Sequence, residues 1–201
     1  IQFKGQLDIK DFGVTYTDDF PFSLASAKIN FSPQSIEGQY EKLFLSNSQL
    51  NGQFKIKEPL MFITDANTKI RVDNVISSEI LDLNELNALS ESLAKNNSSS
   101  IDSTQPSANS FNNIDARFDI NLQKVVYTDY DLSDIRVTGN YINDTIQISS
   151  SKASINGNDI EARANIVHPM AFMNANDTLE GSLFVESRSI DFNTLMQGSS
   201  R

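Results

Sequence analysis

The chain has no cysteine and no tryptophan, and only one histidine and five prolines among its 201 residues. Without cysteine there can be no disulfide, no thiolate-held zinc and no thiol nucleophile. His168 stands alone, with no second histidine and no recognisable serine partner, so neither a catalytic triad nor a zinc site can be assembled on it. Basic residues are also scarce. Sixteen Lys and Arg against 26 Asp and Glu give a formal charge of −10 and a pI near 4.5. Nucleic acid and anionic membrane faces both reward Lys and Arg, so neither is expected as a partner. No apolar run approaches the roughly 20 residues that cross a bilayer, and no secretory leader is visible. The chain opens without Met, inside an alternating run, the start expected of a piece of a longer protein without its targeting and anchoring segments.

What is present is alternation. Phe3, Gly5, Leu7 and Ile9 interleave with Lys4, Gln6, Asp8 and Lys10, the period of two that marks a half-buried antiparallel strand. A turn is expected at Asp11–Gly13, after which Val14 and Tyr16 resume. Ala25, Ala27, Ile29 and Phe31 form the next run, and Ser32-Pro33-Gln34 the next turn. Ile36, Gly38 and Tyr40 lead to Leu43 and Leu45. Leu50, Gly52, Phe54 and Ile56 follow until Pro59, and Thr68, Ile70 and Val72 make one more strand. The second half reads alike, with a hairpin expected at Asn143-Asp144.

The two halves also match in detail. Leu7–Asp18 (LDIKDFGVTYTD) aligns without a gap on Phe118–Asp129 (FDINLQKVVYTD), pairing Asp8 with Asp119 and Tyr16 with Tyr127. Leu50-Asn51-Gly52 recurs as Ile155-Asn156-Gly157, and Pro59 as Pro169. Ile80–Leu86 (ILDLNEL) recurs as Ser189–Leu195 (SIDFNTL). In each closing stretch the Asp can cap a short helix, and Glu85 completes a capping-box spacing with Asp82. Duplication of one unit is the simplest account. The expected fold is all-β and mainly antiparallel: two meander units of some six long strands, each closed by a short helix, forming a curved sheet, a groove or a sandwich. The units are residues 1–95 and 114–201. Residues 96–113 are rich in Ser and Asn, too polar to offset their ordering entropy, and read as a flexible linker.

Candidate chemistry is thin. Asp129, Asp131, Asp134 and Asp144 are oxygen ligands of the kind calcium prefers, but their spacing is not that of an EF-hand, and a solvated turn is the better reading. Gly5, Gly38, Gly52, Gly139 and Gly181 lie inside strand patterns and suggest bulges or curvature, not a phosphate cradle. No metal, no cofactor and no catalytic residue is expected; the chain reads as non-enzymatic.

Strand pairs ending in Tyr-Thr-Asp, a long alternating meander and the closing pattern S-x-x-L-D-L-N-x-L together resemble the C-terminal region of AsmA-like proteins of the Bacteroidetes type. Ser78–Leu86 carries the pattern, and Ser187–Leu195 carries it with Ile190 and Phe192 in the first two leucine positions. The resemblance implies a periplasmic protein of Gram-negative cells, anchored in the inner membrane in its full length and associated with outer-membrane biogenesis. Larger relatives look like long β-sheet grooves that shield lipid tails. An apolar sheet face here would cover phospholipid or another envelope lipid, and its second-half residues would be Ile135, Val137, Ile146, Ile148, Ile160, Ala162, Leu183 and Val185. Alternation is equally compatible with a closed core, which makes the same residues interior. The alternative function is a structural or protein-binding envelope sandwich that docks proteins by strand addition and carries no lipid.

Overall fold

Ten strands follow one another across a single open sheet in chain order. The structure, a computed structural model, describes residues 3–17, 20–64, 68–88, 113–128, 130–169 and 180–193. The strands are β1 (Gly5–Thr17), β2 (Phe20–Phe31), β3 (Ser35–Leu45), β4 (Ser48–Lys57) and β5 (Ile70–Asp82), then β6 (Ile114–Tyr127), β7 (Tyr130–Ile142), β8 (Thr145–Ile155), β9 (Asn158–Val167) and β10 (Glu180–Glu186). Among the described residues each half supplies five strands. All neighbours are antiparallel except β5 and β6, which run parallel from Ile70↔Ile114 to Asp82↔Val126. One short helix, α1 (Pro59–Thr64), follows β4. Pro59 suits its first turn, where the missing N–H would have no helical partner.

The tight turns carry the chemistry their geometry demands. Asn143 and Asp144 both adopt positive φ (50° and 56°), as do Asn156 and Gly157 (48° and 78°). These are the left-handed pairs that match the twist of a two-residue hairpin. Asn156-Gly157 is thus a turn, whereas Asn51 and Gly52 lie inside β4, so the expected equivalence of Gly52 and Gly157 fails. The turn expected at Asp11–Gly13 is also absent. β1 runs straight through it, and Asp11 alone takes a left-handed conformation (φ 49°) and drops out of pairing. On β3, Lys42 does the same (φ 51°), with its N–H donating to Asn51 Oδ1 at 2.8 Å. The effect is a step of three between apolar positions: Ile9 to Phe12, and Tyr40 to Leu43. Asp134 (φ 52°) marks the matching step from Ile135 to Leu132 on β7. At Lys42 and Asp134 the register against β4 and β8 shifts, and such bulges let one face stay apolar where strict alternation would lose it; at Asp11 the register against β2 is unchanged.

The recurrent closing pattern is a clasp between the start of the fourth strand and the end of the fifth. Ser48 opens β4 and is buried; the Asp82 N–H donates to its Oγ at 2.8 Å. The Ser78 hydroxyl lies 2.7 Å from the carbonyl oxygens of Gln49 and Ile80. In the second half Asn158 opens β9, is also buried, and its Oδ1 accepts from the Asp191 N–H at 2.7 Å. The Ser187 hydroxyl lies 2.7 Å from the Asp159 carbonyl and 2.9 Å from that of Ser189. Asp82 then caps the helical residues 83–88, accepting from the N–H groups of Asn84 (3.0 Å) and Glu85 (3.2 Å). Asp191 accepts from Asn193 N–H at 2.9 Å. The capping box is not closed. Glu85 reaches the Asn47 N–H and side-chain amide instead, because the Asp82 N–H is already held by Ser48. The expected continuation of this helix to Lys95, and the stretch 96–112, lie outside the described residues.

Replacing Ser48 or Asn158 with Ala removes a buried acceptor and its hydrogen bond to the Asp82 or Asp191 N–H, which costs about 0.5–1.5 kcal/mol. Urea denaturation should find comparable losses for the two variants. A loss confined to one of them would mean that the two clasps are not equivalent.

Candidate functional site

The register builds the candidate site. Following partners from strand to strand, Leu7, Ile29, Gly38, Phe54, Asn74, Phe118, Gly139, Ile148, Ala164 and Leu183 form one row across the whole sheet. A second row runs from Gly5 and Phe31 to Ile166 and Gly181, and a third from Ile9 and Ala27 to Ala162 and Val185. Directly opposed residues point to the same side, so the three rows share a face. Asn74 and Ser151 are the only amide or aliphatic hydroxyl side chains in them. The intervening row reads Gln6, Asn30, Glu37, Lys55, Asp73, Arg117, Asn140, Gln147, Asn165 and Ser182, with no apolar member. One side of the sheet is apolar from edge to edge; the other is mainly polar, with Val75 and Phe184 exposed on it.

Of the eight residues named from the sequence, Ile148 and Leu183 stand in the first of these rows, Ile146 in the second, and Val137, Ala162 and Val185 in the third. Ile135 lies opposite Leu122, and Ile160 opposite Ala153. The first half adds Ile29, Ile36, Phe54 and Ile76 to the same rows. Among the described residues only Leu122 (8% exposed) and Val125 (2%) are buried hydrophobic side chains. Every substantial contact between described elements is between strands adjacent in the sheet. No described element forms a second layer.

Glycines shape the relief of this face. A Cβ at Gly5 would collide with the ring of Phe31, at Gly38 with Phe54, at Gly52 with Tyr40 and at Gly139 with Phe118. In each case the aromatic residue is the cross-strand partner of the glycine. The ring lies over the bare backbone, so these glycines are seats for rings, and the register against β8 also shifts at Gly139. Tyr40 is half-buried in this packing, and burial pushes its phenol above the ordinary value.

The polar face is held by exposed ion pairs. Lys55 Nζ meets Glu37 at 2.7 Å, Lys57 meets Asp73 at 2.6 Å and Lys152 meets Glu161 at 2.8 Å. The hydrogen bond and charge of each lysine hold its partner carboxyl below the usual range. Such pairs add little stability individually. A depression of about 900 Å³ near β8–β10 is lined by Arg136, Lys152, Glu161, Glu186 and Arg188 together with Val185, a mix of signs that selects no ligand charge.

At one end of the sheet, Asp144 gathers a small polar cluster. Its carboxylate accepts from Tyr141 Oη at 3.0 Å and faces His168 Nδ1 at 2.5 Å, while its carbonyl accepts from His168 N–H at 2.9 Å. Lys69 ties Asp115 (3.1 Å) to Asn143. Asp144 is therefore engaged in closing a hairpin, and Asp134 lies ten positions away along β7 and its turn. The backbone does not bring these two together as calcium ligands. No group of three or more His, Cys, Asp or Glu among the described residues is placed to hold a metal. No described helix is long and apolar enough to cross a membrane.

Comparison with protein-family models, with curated proteins and with solved structures finds no match in any of the three.

The face assignment is open to direct trial. Ile135→Asp sets a charge against the buried Leu122 and should cost about 1–3 kcal/mol. Asp134→Asn, exposed and at a left-handed position that Asn tolerates, should stay within about 0.5 kcal/mol of the parent. Equal losses in chemical denaturation would reverse the assignment. Tyr141 gives a pH test. Desolvation first, then the hydrogen bond and charge of Asp144, push its phenol up to about 12 from 10.0. The folded state thus holds its proton more tightly than the unfolded state, and this contribution is intact below pH 10 and lost as pH rises toward 12. In an ultraviolet titration, the parent should show one more late-titrating phenol than Tyr141→Phe does.

Proposed function

We propose that this chain is a non-enzymatic segment of an AsmA-like periplasmic protein whose apolar sheet face shields or passes lipid in support of outer-membrane biogenesis. The observation that carries the reading is the apolar face itself. It spans all ten strands and, among the described residues, lies under no second layer. A closed sandwich would bury the inner face of each sheet under the other. A face that is dry by composition and open by architecture suits acyl chains, which offer apolar surface without hydrogen-bonding demands. The sequence pattern behind the family resemblance supports the same reading, since its Ser and Asp positions form the clasp in both halves. In this view the full-length protein is anchored in the inner membrane and the segment stands in the periplasm.

A second reading, a protein-docking module of the envelope, draws on the two sheet edges. The outer sides of β1 and β10 are unpaired among the described residues.

The chain, purified without detergent or added lipid, should carry phospholipid detectable by mass spectrometry. After delipidation it should extract a fluorescent phospholipid from vesicles of phosphatidylethanolamine and phosphatidylglycerol. Repeated preparations free of lipid, with no extraction, would defeat the lipid reading.

A further inference from the structure

The clasps fix which strand of one half corresponds to which strand of the other. Ser187 and Asp191 stand where Ser78 and Asp82 stand, so β10 is the counterpart of β5. The aligned segments Leu7–Asp18 and Phe118–Asp129 make β1 the counterpart of β6. Inside the chain β5 and β6 pair in parallel. Their counterparts β10 and β1 are the two edge strands of the sheet, each without a paired neighbour on its outer side among the described residues. We propose that β10 of one copy of this chain pairs in parallel with β1 of a second copy, in the register of the β5–β6 seam.

Carrying the seam's partners over to the edges gives a definite set of contacts. Ile76↔Ile120 becomes Val185 opposite Ile9, and Leu81↔Val125 becomes Ile190 opposite Val14. Val75↔Asp119 becomes Phe184 opposite Asp8, an apolar residue facing Asp in both places. Arg71↔Asp115 becomes Glu180 opposite Lys4, an opposite-charge pair with its signs exchanged. Ser77↔Asn121 becomes Glu186 opposite Lys10, a second opposite-charge pair. The apolar rows continue unbroken across the junction, and both new charge pairs are attractive.

The edges themselves are of the kind that pairs. Natural edge strands are blunted by proline, lysine or a covering loop. β10 has neither Pro nor Lys, and its Leu183 (70% exposed), Phe184 (54%) and Val185 (51%) are open to solvent. β1 does carry Lys10, with Lys4 just before it, and these are the two lysines that Glu186 and Glu180 meet in the proposed pairing. Because the contact is head-to-tail, one junction leaves a fresh β1 and a fresh β10 at the ends, so association is open-ended. This inference stands apart from the lipid reading.

Sedimentation velocity of the intact chain over a wide concentration range, in low-salt buffer, is the test. The parent should form dimers and longer species in a concentration-dependent way, weakened by added salt. K4E/K10E sets like charges opposite Glu180 and Glu186 and should weaken association about tenfold or more. The quadruple variant K4E/K10E/E180K/E186K restores both attractions with reversed signs and should associate as the parent does, which also shows that the substitutions leave the fold intact. A parent that remains monomeric at every concentration overturns the proposal, as does a K4E/K10E variant that associates undiminished. A quadruple variant that fails to recover while keeping its β-sheet circular dichroism overturns it too. Association that survives charge reversal and vanishes when detergent covers the apolar face would assign the contact to the faces and likewise overturn it.

Discussion

Everything in this fold depends on register. A slip of one residue at any strand pairing would turn that strand and every strand beyond it inside out, placing charges among the apolar rows. The chain guards against this at its ends and in its middle. Two-residue turns at Asn143-Asp144 and Asn156-Gly157 leave no slack between strands. Buried Ser48 locks the first residue of β4 to the last of β5, and buried Asn158 locks the first residue of β9 to Asp191, just beyond β10. The bulges at Lys42 and Asp134 absorb the odd residue where the sequence departs from strict alternation.

The parallel seam follows from an odd number. Five antiparallel strands finish pointing the way they began, so a second unit laid beside the first in the same orientation must meet it in parallel. The chain then has to return the full length of β5 before starting β6. A parallel neighbour needs a connection of a dozen residues or more, and residues 83–113 supply it. The Ser/Asn-rich stretch thus has a topological reason for its length that composition alone does not suggest.

Much of the fold is legible in the sequence because period two reports a strand wherever one side is dry. The all-β class, the turns at Ser32–Gln34 and Asn143-Asp144, and the apolar residues from Ile135 to Val185 follow from it. What it does not report is equally physical. Alternation is the same for parallel and antiparallel neighbours, so the seam is invisible. Asp11 can sustain a left-handed conformation inside a strand or in a turn, and the sequence favours the turn that β1 does not make. Ser48 and Asn158 perform one task with different functional groups, which hides their equivalence from a residue-by-residue alignment. The short helix at Pro59–Thr64 is too brief to leave a periodic signal, and its proline reads as a stop.

The rings seated on glycines carry a consequence for motion along the face. At Phe31, Tyr40, Phe54 and Phe118 the bulk that would rise as a ridge is laid down over a neighbouring strand that has no side chain there. Peaks fall where there would otherwise be pits, and the surface loses corrugation. An apolar body lying against such a surface meets few steps of height and few notches in which to settle. The barrier between one position and the next is then small compared with the total attraction, so the face can grip firmly across its area while offering little friction along it.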